Sequence, residues 1–451
     1  MIESVGRGLI GILLILGVAL LFSRSRRTVS WALVAKGLTV QLIFGVLVLK
    51  GAALGAVWAP FGWPKLAFDF LSRAIVKLLA FTTEGAMFIF GDLALSPGQP
   101  ASIGFFFAFQ VLPTIIFFAS LMSVLYYLGI MQKVVQGMAW VMVKLLGTSG
   151  AESLSNAANV FVGQTEAPLM IRPFLKDLTE SELLTVMVGG MATIAGGVMA
   201  AYVQMLGISY AEMHGIAIGE AQIRFAGQLL GASIMAAPAG MVISKILIPE
   251  AGSPRTLGHV HIPREKNATN VIEAAASGAS DGLKLALNIA AMLLAFIALI
   301  ALANFILGQA GHIGGLNGYL VATFGKPLSL ELIFGLILQF AAFGIGIPWG
   351  EAFQVGSLMG SKLVLNEFVA YLEMSEMLKG GSLFSDKAVT MTAFALCGFA
   401  NFSSIAILMG GLGPLAPERR PDISRLGLRA LLGGTLATMM TATIAGILTG
   451  F

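Results

Sequence analysis

The hydrophobic positions of this 451-residue chain form long uninterrupted runs, which is the pattern of helices that cross a lipid bilayer. A helix needs about 20 mostly apolar residues to cross the hydrocarbon core. Runs of sufficient length occupy residues 4–22, 31–58, 101–128, 183–206, 222–248, 282–307, 388–412 and 427–449. The sequence therefore predicts an all-α polytopic membrane protein with eight transmembrane helices.

Five further segments are apolar but interrupted by polar residues, and the basic residues decide how these segments count. Lys and Arg concentrate in cytoplasmic loops. Counting eight spans, with none of the five segments crossing, places all the basic clusters on the cytoplasmic side and both termini in the periplasm. The segments are 64–92, 129–146, 150–175, 312–348 and 350–376, and the clusters are Arg24/Arg26/Arg27, Lys133/Lys144, Arg255/Arg264/Lys266 and Arg419/Arg420/Arg425.

The first of these segments predicts a helix that lies along the membrane surface. Asp69, Arg73 and Lys77 follow one another at helical spacing among apolar residues of the stretch 64–80. A charged face opposite an apolar face is typical of an interfacial amphipathic helix. We assign this helix a packing role only.

Segments 150–175 and 350–376 share one construction and predict two re-entrant helical hairpins. The first is polar throughout and contains Pro168 and Pro173, and Glu367 lies in the second at a position close to that of Glu166 in the first. Irregular polar backbone at membrane depth persists only where protein or a water-filled cavity surrounds it. A hairpin that enters the membrane and returns to the same side satisfies that requirement.

Each hairpin is followed by a polar linker and then by a span that is interrupted midway, at 193–197 and at 398–404. Three spans separate the hairpins, so they should enter from opposite sides, as in an inverted repeat. The predicted divisions are N-terminal scaffold helices (1–100), repeat 1 (101–248), a cytoplasmic linker (249–281) and repeat 2 (282–451), in which about 282–449 match repeat 1.

Composition supports this class and excludes others. Hydrophobic residues make up 57% of the chain and charged residues 11%, with a mean hydropathy of +0.89 and a pI near 9.1. Because the basic residues lie in short loops, we do not expect a nucleic-acid partner. The single cysteine, Cys397, excludes disulfides within the chain and Cys-based metal sites. The four histidines all fall in predicted loops, so no buried histidine proton relay is expected.

Glu166 and Glu367 point to a polar substrate, because a carboxylate at membrane depth costs about 3 kcal/mol on insertion scales. Gln164, Thr165 and Glu166 together offer donors and acceptors suited to the edge of a heterocycle. The alternative is an internal ion pair, either Glu166 with Arg172 or Glu367 with Lys362.

Glu367 with Asn401 and Ser404 offers groups suited to sugar hydroxyls. Phe399, within the second interruption, is a candidate apolar wall of the same pocket. A phenylalanine in a membrane helix is nevertheless more often plain packing.

Asn159 and Thr193 suggest a sodium site. Sodium is a hard cation that binds oxygen, and interrupted helices expose carbonyl groups that can supply it. The carbonyls of Val162 and Ile194 could complete the shell. The alternative is that Asn and Thr only join helices by hydrogen bonds.

Three motifs together resemble the concentrative nucleoside transporters: Asn159–Pro168, Leu365–Tyr371 and Gly398–Ser404. The resemblance covers essentially the whole chain. It implies a homotrimer in which a scaffold domain surrounds a mobile transport domain. It also implies that a nucleoside such as uridine binds with its base at Gln164, Thr165, Glu166 and Val198 and its ribose at Glu367, Asn401 and Ser404, and that sodium binds at Asn159, Val162, Thr193 and Ile194.

The resulting prediction is a secondary active symporter of the inner membrane that imports nucleosides by elevator-like alternating access. It needs no cofactor, and its coupling ion is sodium or, as in some bacterial relatives, a proton. Less favoured alternatives are a passive channel and an intramembrane enzyme with Glu166 or Glu367 as general base. The spans lack a zinc-type histidine cluster and an evident Ser–His pair, which argues against the enzyme.

Overall fold

The computed structural model describes residues 2–95, 97, 99, 101–258, 268–324, 327–380 and 385–449. Within these ranges the chain is helical, apart from connections and an isolated antiparallel bridge between Ser149 and Leu257. Arg264, Lys266, His259 and His261 lie outside the described residues. The all-α fold is therefore confirmed.

The helices are numbered in chain order. The first half contains α1 Ile2–Leu21, α2 Trp31–Leu49, α3 Gly51–Val57, α4 Ala59–Phe90, α5 Phe107–Gln110, α6 Leu112–Tyr127, α7 Ile130–Leu146, α8 Gly150–Asn159, α9 Glu180–Ala192, α10 Gly196–His214 and α11 Ile218–Leu247. The second half contains α12 Val271–Gly311, α13 Leu316–Phe324, α14 Leu330–Gly344, α15 Trp349–Val364, α16 Glu367–Lys379, α17 Asp386–Leu396, α18 Phe402–Leu415 and α19 Arg420–Thr449. Short 3-10 helices occupy Arg26–Thr28, Gly91–Ala94, Ala167–Asp177, Ile313–Gly315 and Pro417–Arg419.

The described chain contains eight helical stretches that are long and apolar enough to cross a membrane. This matches the predicted number, but one member of the predicted set is replaced by another. The predicted span 388–412 is instead divided into α17 and α18, each too short to cross alone. The stretch Ala59–Ala94 joins the set in its place.

The prediction that segment 64–92 does not cross, with an interfacial helix over 64–80, is therefore not supported by length and composition. Ala59–Ala94 is a 36-residue helical stretch with a mean hydropathy of 1.5 in its most apolar window. The charged residues Lys65 and Asp69 pair with each other one helical turn apart near its beginning. Arg73, Lys77 and Glu84 follow farther along the helix, but they are spaced widely enough to leave a window apolar enough to span.

Burial divides the long helices into an inner and an outer group. In α11 and α19, 94% and 83% of the apolar window is buried within the chain, and the α9–α10 stretch reaches 83%. The corresponding share is only 28% in α1 and in α2, and 17% in α12. Apolar side chains of the outer helices thus face the surroundings, as expected for contact with lipid or with other subunits.

Both predicted hairpins are pairs of helical segments joined by a short turn. In the first, α8 leads through residues 160–166 into the 3-10 helix Ala167–Asp177. In the second, α15 and α16 are separated by Leu365 and Asn366. A further bend of 118° separates α14 from α15, so the second hairpin also folds back on the helix before it.

A buried charge cluster anchors the base of the first hairpin. The Lys245 ammonium, in the last turn of α11, lies 2.8 Å from a Glu152 carboxylate oxygen at the start of α8. Ser149, which caps α8, donates to Glu182 of α9 at 2.5 Å. Lys245 also pairs with Glu250 at 3.2 Å. Three helix ends are thereby joined at one place.

The same cluster keeps Glu250 ionised. Burial disfavours the charged form of its carboxyl group, but the Lys245 ammonium, the Gly252 N–H and the Thr179 hydroxyl favour it. Their combined effect holds the pKa of Glu250 below its ordinary value. The loop after α11 is therefore held to the start of α9 by charge as well as by packing.

Candidate functional site

The two interrupted spans touch at their interruptions. The chain leaves helical conformation between Ala192 and Gly196, and again between Leu396 and Phe402, at both predicted positions. A Cβ atom added to Gly398 would lie 2.8 Å from the Ala192 carbonyl oxygen. Backbone meets backbone here, so the polar groups freed by both interruptions share one buried region.

Two helices begin in that region, each capped by an asparagine. The Asn366 side chain accepts from the Val369 N–H at 2.9 Å and begins α16, and the Asn401 side chain accepts from the Ser404 N–H at 2.9 Å and begins α18. Asparagine is a favoured N-cap because its side-chain oxygen satisfies a free backbone N–H. Glu367 becomes the first residue of α16, where the positive helix end favours a negative charge.

The Glu367 carboxylate is 5% exposed and has one protein donor for each oxygen. The Tyr202 hydroxyl donates to Oε1 at 2.9 Å, and the Asn401 Nδ2 donates to Oε2 at 3.2 Å. An ionised carboxylate has about four acceptor positions, so about two stay open for another ligand. This arrangement can bind a molecule that presents neighbouring hydroxyl groups.

The turn of the first hairpin reaches the same group. The Gln164 Nε2 donates to the Ser404 Oγ at 3.3 Å, and Gln164 Oε1 is buried without a hydrogen-bond partner. Thr165 packs against Gly411 of α18, where an added Cβ would lie 2.7 Å from Thr165 Cγ2. Gln164, Ser404, Asn401 and Glu367 therefore form one connected set, which brings together residues predicted for base and for ribose.

The other predicted pocket residues lie outside that hydrogen-bonded set. Glu166 is exposed, and its carboxylate packs over Gly163. Val198 is buried near the start of α10. Phe399 is half-buried within the second interruption, and its carbonyl accepts from the Asn401 N–H at 2.9 Å.

The predicted sodium ligands lie on the two segments that meet at the first interruption. The Gly196 N–H donates to the Phe161 carbonyl at 2.9 Å, which ties that interruption to the turn after α8. Asn159 is 1% exposed, and neither atom of its amide group has a hydrogen-bond partner. A buried amide without partners is costly, by about 1–3 kcal/mol. It is suited to an oxygen-seeking ion.

The remaining members of the sodium set fit the same chemistry. The Thr193 hydroxyl donates to the Gly189 carbonyl at 2.9 Å, which leaves its oxygen lone pairs free to face a cation. Ile194 is buried and Val162 is half-buried. In the ranges that the structure covers, neither of their carbonyl oxygens accepts a hydrogen bond.

The ion-pair alternatives are absent from the described part of the chain. The Lys362 ammonium instead donates to the Ala395 carbonyl at 2.8 Å and to the Thr438 hydroxyl at 3.2 Å. It thereby satisfies a carbonyl at the end of α17. Among the described residues, no ion pair within 4.0 Å involves Glu367 or Glu166.

Sequence reasoning missed Tyr202, which contacts Glu367 directly. Tyr202 lies within a continuous apolar span, where its ring looks like ordinary packing. A buried tyrosine hydroxyl usually has a hydrogen-bond partner, and that rule was the only available signal. The rule does not identify the partner, and Glu367 lies 165 residues farther along the chain, beyond the reach of any local pattern.

Three family models match the chain and together span most of it. Residues 10–93 match the N-terminus of the Na+ dependent nucleoside transporters, residues 228–446 match their C-terminus, and residues 108–209 match a nucleoside recognition "Gate" domain. An uncharacterized transporter of Bacillus subtilis, YutK, is 46% identical over 441 residues, 98% of each chain. The chain belongs to the nucleoside transporter family.

Other members of this family also match the chain over nearly its whole length. The nucleoside permease NupC of Helicobacter pylori is 40% identical over 444 residues, which cover 98% of this chain and 97% of that one. The structure of CNTnw in an inward-facing substrate-bound state is 41% identical, with a TM-score of 0.85 over 100% of this chain and 99% of the other. Solved structures of CNTnw also include an outward-facing state, with a TM-score of 0.82.

Membership settles the class of activity. The chain is a multi-pass membrane transporter of the nucleoside family, and it is not an enzyme. Inward- and outward-facing structures of a similar protein support alternating access in the family. The intramembrane-enzyme alternative is therefore wrong.

Proposed function

We propose that this protein is a symporter that imports nucleosides across the inner membrane together with sodium. The observation that carries the proposal is the buried Glu367 carboxylate, which has one donor on each oxygen and lies at the start of α16. A closed polar site of this kind selects a neutral molecule with several hydroxyl groups. Such a site differs from the continuous water-filled pore that a passive channel needs.

The ribose would bind at Glu367, Asn401 and Ser404, with its hydroxyls donating to the carboxylate. The base would lie toward Gln164, whose Oε1 is buried and unpaired. Thr165, Glu166 and Val198 would form the remainder of the base site, and Phe399 a pocket wall. Glu166 must turn inward to take part, because its side chain is exposed.

Sodium would bind between the turn after α8 and the first interruption. Its ligands would be the Asn159 amide, the Thr193 hydroxyl and the carbonyls of Val162 and Ile194. The unpaired Asn159 amide supports this assignment. A set of neutral oxygen donors suits sodium, whereas a proton needs a group that can be protonated near neutral pH.

One sodium ion supplies enough energy for accumulation. An ion moving down about 100 mV contributes about 2.3 kcal/mol, and a tenfold concentration gradient adds about 1.4 kcal/mol. The sum permits accumulation of several hundredfold, on the order of 500. A 1:1 carrier could therefore scavenge dilute nucleosides.

The same proposal includes an assembly and an orientation. The outer helices α1, α2 and α12 would form the scaffold of a homotrimer, around a transport domain made from the two hairpins and their partner helices. Their low internal burial supports this role. The two hairpins would enter from opposite sides as an inverted repeat, because three spans separate them. The prediction that both termini are periplasmic required that residues 64–92 not cross, and the length and apolar composition of Ala59–Ala94 remove that basis.

The test is uptake of labelled uridine into proteoliposomes under an imposed sodium gradient and, separately, under a proton gradient. We expect accumulation with sodium only. Accumulation with protons only would keep uridine as substrate but would reduce Asn159 and Thr193 to helix packing. Absence of uridine movement under both gradients would contradict the substrate assignment.

A further inference from the structure

Tyr202 of α10 is held in one orientation beside the proposed ribose site. Its side chain is fully buried. The ring centroid lies 4.9 Å from that of Phe368, nearly edge to face, and 4.4 Å from that of Tyr371. Aromatic neighbours on two sides leave the ring little freedom to turn. The hydroxyl therefore points in a fixed direction, toward Glu367.

The Tyr202 hydroxyl makes the shorter of the two protein hydrogen bonds to Glu367. Its oxygen lies 2.9 Å from Oε1, whereas the Asn401 amide nitrogen lies 3.2 Å from Oε2. Bonds to a charged acceptor are strong and directional. Because its ring is held in place by aromatic neighbours, Tyr202 fixes the position of Oε1, and hence how the carboxylate plane is turned and where its remaining acceptor positions point.

The orientation of the carboxylate plane determines which sugar hydroxyls Glu367 can bind. Two neighbouring hydroxyls on one ring can bind a carboxylate together only if its open lone pairs face them side by side. A site built to bond a substrate hydroxyl strongly rejects an analogue without it, because a buried polar group is then left unpaired. The orientation of Glu367 is therefore a property on which substrate choice depends.

We propose that Tyr202 is a positioning residue for sugar selection. It holds Glu367 so that the carboxylate receives the paired 2′ and 3′ hydroxyls of a ribonucleoside, and it thereby favours ribonucleosides over nucleosides that lack both groups. The inference rests on the proposed function. It adds which part of the substrate is recognised, the 2′ and 3′ hydroxyls, and which residue orients the carboxylate that recognises them.

The test compares two variants that each remove one oxygen from the same aromatic group. Tyr202→Phe keeps the ring and removes the donor to Glu367. Tyr371→Phe is the matched control, because that side chain is also fully buried but its hydroxyl donates to the Ala393 carbonyl at 2.7 Å. Uptake of uridine and of 2′,3′-dideoxyuridine is measured for both variants under one sodium gradient, after melting temperatures have shown that each is folded.

We expect Tyr202→Phe to raise the KM for uridine about tenfold and the KM for dideoxyuridine less than about twofold, as the loss of one charge-assisted bond predicts. Tyr371→Phe should keep the wild-type ratio of the two KM values. Because the readout is a ratio between two substrates of one protein, a general loss of stability does not imitate it.

Two results would overturn the inference: an unchanged ratio of the two KM values in Tyr202→Phe, whether or not uptake falls, or the same change of ratio in Tyr371→Phe. These differ from a failure of the proposed function. In that case the wild-type protein itself would move neither nucleoside, and the inference would fall with it.

Discussion

At the scale of single residues, the site depends on a carboxylate that is buried without an opposite charge in contact. Glu367 has neutral donors from Tyr202 and Asn401 and the positive end of α16. Lys362, the nearest candidate for a partner, donates elsewhere. A carboxylate without a fixed cation keeps acceptor capacity for hydroxyl groups, and that capacity is what a neutral sugar requires.

Replacing Glu367 by Gln should nearly abolish transport. The amide has one acceptor oxygen instead of two and carries no charge, so it can accept fewer hydroxyl bonds, and each is weaker than a bond to a carboxylate. We expect uridine Vmax/KM to fall at least about 100-fold in proteoliposome uptake, from the loss of two bonds to a charged group. Glu376→Gln is the control, because Glu376 lies on the same helix with its side chain 64% exposed. Wild-type-like uptake by Glu367→Gln would remove this residue from the site.

Thr193 allows a clean test of the sodium site. Thr193→Val keeps the shape and removes the oxygen, whereas Thr193→Ser keeps the oxygen and removes a methyl group. We expect the valine variant to need about tenfold more sodium for half-maximal uridine uptake, as the loss of one polar contact to a charge predicts. The serine variant should stay within about twofold of wild type. Equal sodium dependence in both would mean that the hydroxyl only packs against Gly189.

At the scale of elements, the two interrupted spans cross where both lack helical hydrogen bonds. Gly398 lies directly against the Ala192 carbonyl, and Gly434 of α19 packs on Met191 and Ala400. Small residues permit this approach, as they do elsewhere between membrane helices. The crossing brings the sodium residues of one span and the sugar residues of the other within a single buried region.

Gly398→Ala should therefore disturb the crossing. Its Cβ would meet the Ala192 carbonyl and Thr438 Cγ2, both at 2.8 Å. We expect a loss of about 1–3 kcal/mol of stability from overpacking, seen as a lower melting temperature in detergent, together with reduced uptake. Gly410→Ala in α18 is the control, since no atom lies within 4 Å of the added Cβ. Equal behaviour of the two variants would show that the close approach is unimportant.

Elements and local motifs were readable from the sequence, whereas contacts between distant elements were not. The interruptions at 193 and 398 appear as polar or glycine-rich gaps in apolar runs, whereas the helix starts that Asn366 and Asn401 cap were not predicted. Gaps of this kind are a local effect of hydropathy. The bond from Tyr202 to Glu367 depends on how α10 packs against α16, for which the sequence has no periodic signal. The length of α4 was misjudged because scattered charges concealed its continuity.

At the scale of the whole molecule, the inner and outer helices form separate groups. The inner helices α9, α10, α11 and α19 are mostly buried, and the outer helices are mostly exposed. A movable inner group within a fixed outer group is what an elevator-like transporter needs. The contact of α2 with α11 crosses between the groups, and that of α18 with α19 stays within the proposed transport domain.

Two cysteine pairs with the same Cβ–Cβ separation test this division. A Cβ added to Gly37 of α2 lies 3.7 Å from Val242 Cβ of α11, and one added to Gly427 of α19 lies 3.7 Å from Ile405 Cβ of α18. Both match the Cβ separation of a disulfide, about 3.5–4.5 Å. In a Cys397→Ser background, we expect oxidation of Gly37→Cys/Val242→Cys to stop uridine uptake and a reductant to restore it.

The second pair, Ile405→Cys/Gly427→Cys, should retain at least about half of its uptake after oxidation, because it links helices expected to move together. Band shifts on non-reducing gels establish that both bonds have formed. Continued transport by the first pair after oxidation would contradict motion between α2 and α11.

The charge cluster at the base of the first hairpin has a consequence for the cost of opening the site. At the base, Lys245, Glu152 and Glu182 are buried and joined, so this end stays closed. At the tip, the hydrogen bonds that join the turn to the interrupted spans in the described part of the chain are those from Gly196 to Phe161 and from Gln164 to Ser404, and Thr165 packs against Gly411. The two hydrogen bonds amount to about 1–3 kcal/mol net, less than the cost of about 3–5 kcal/mol for breaking a buried ion pair. Opening of the site should therefore begin at the tip of the first hairpin while its base stays in place.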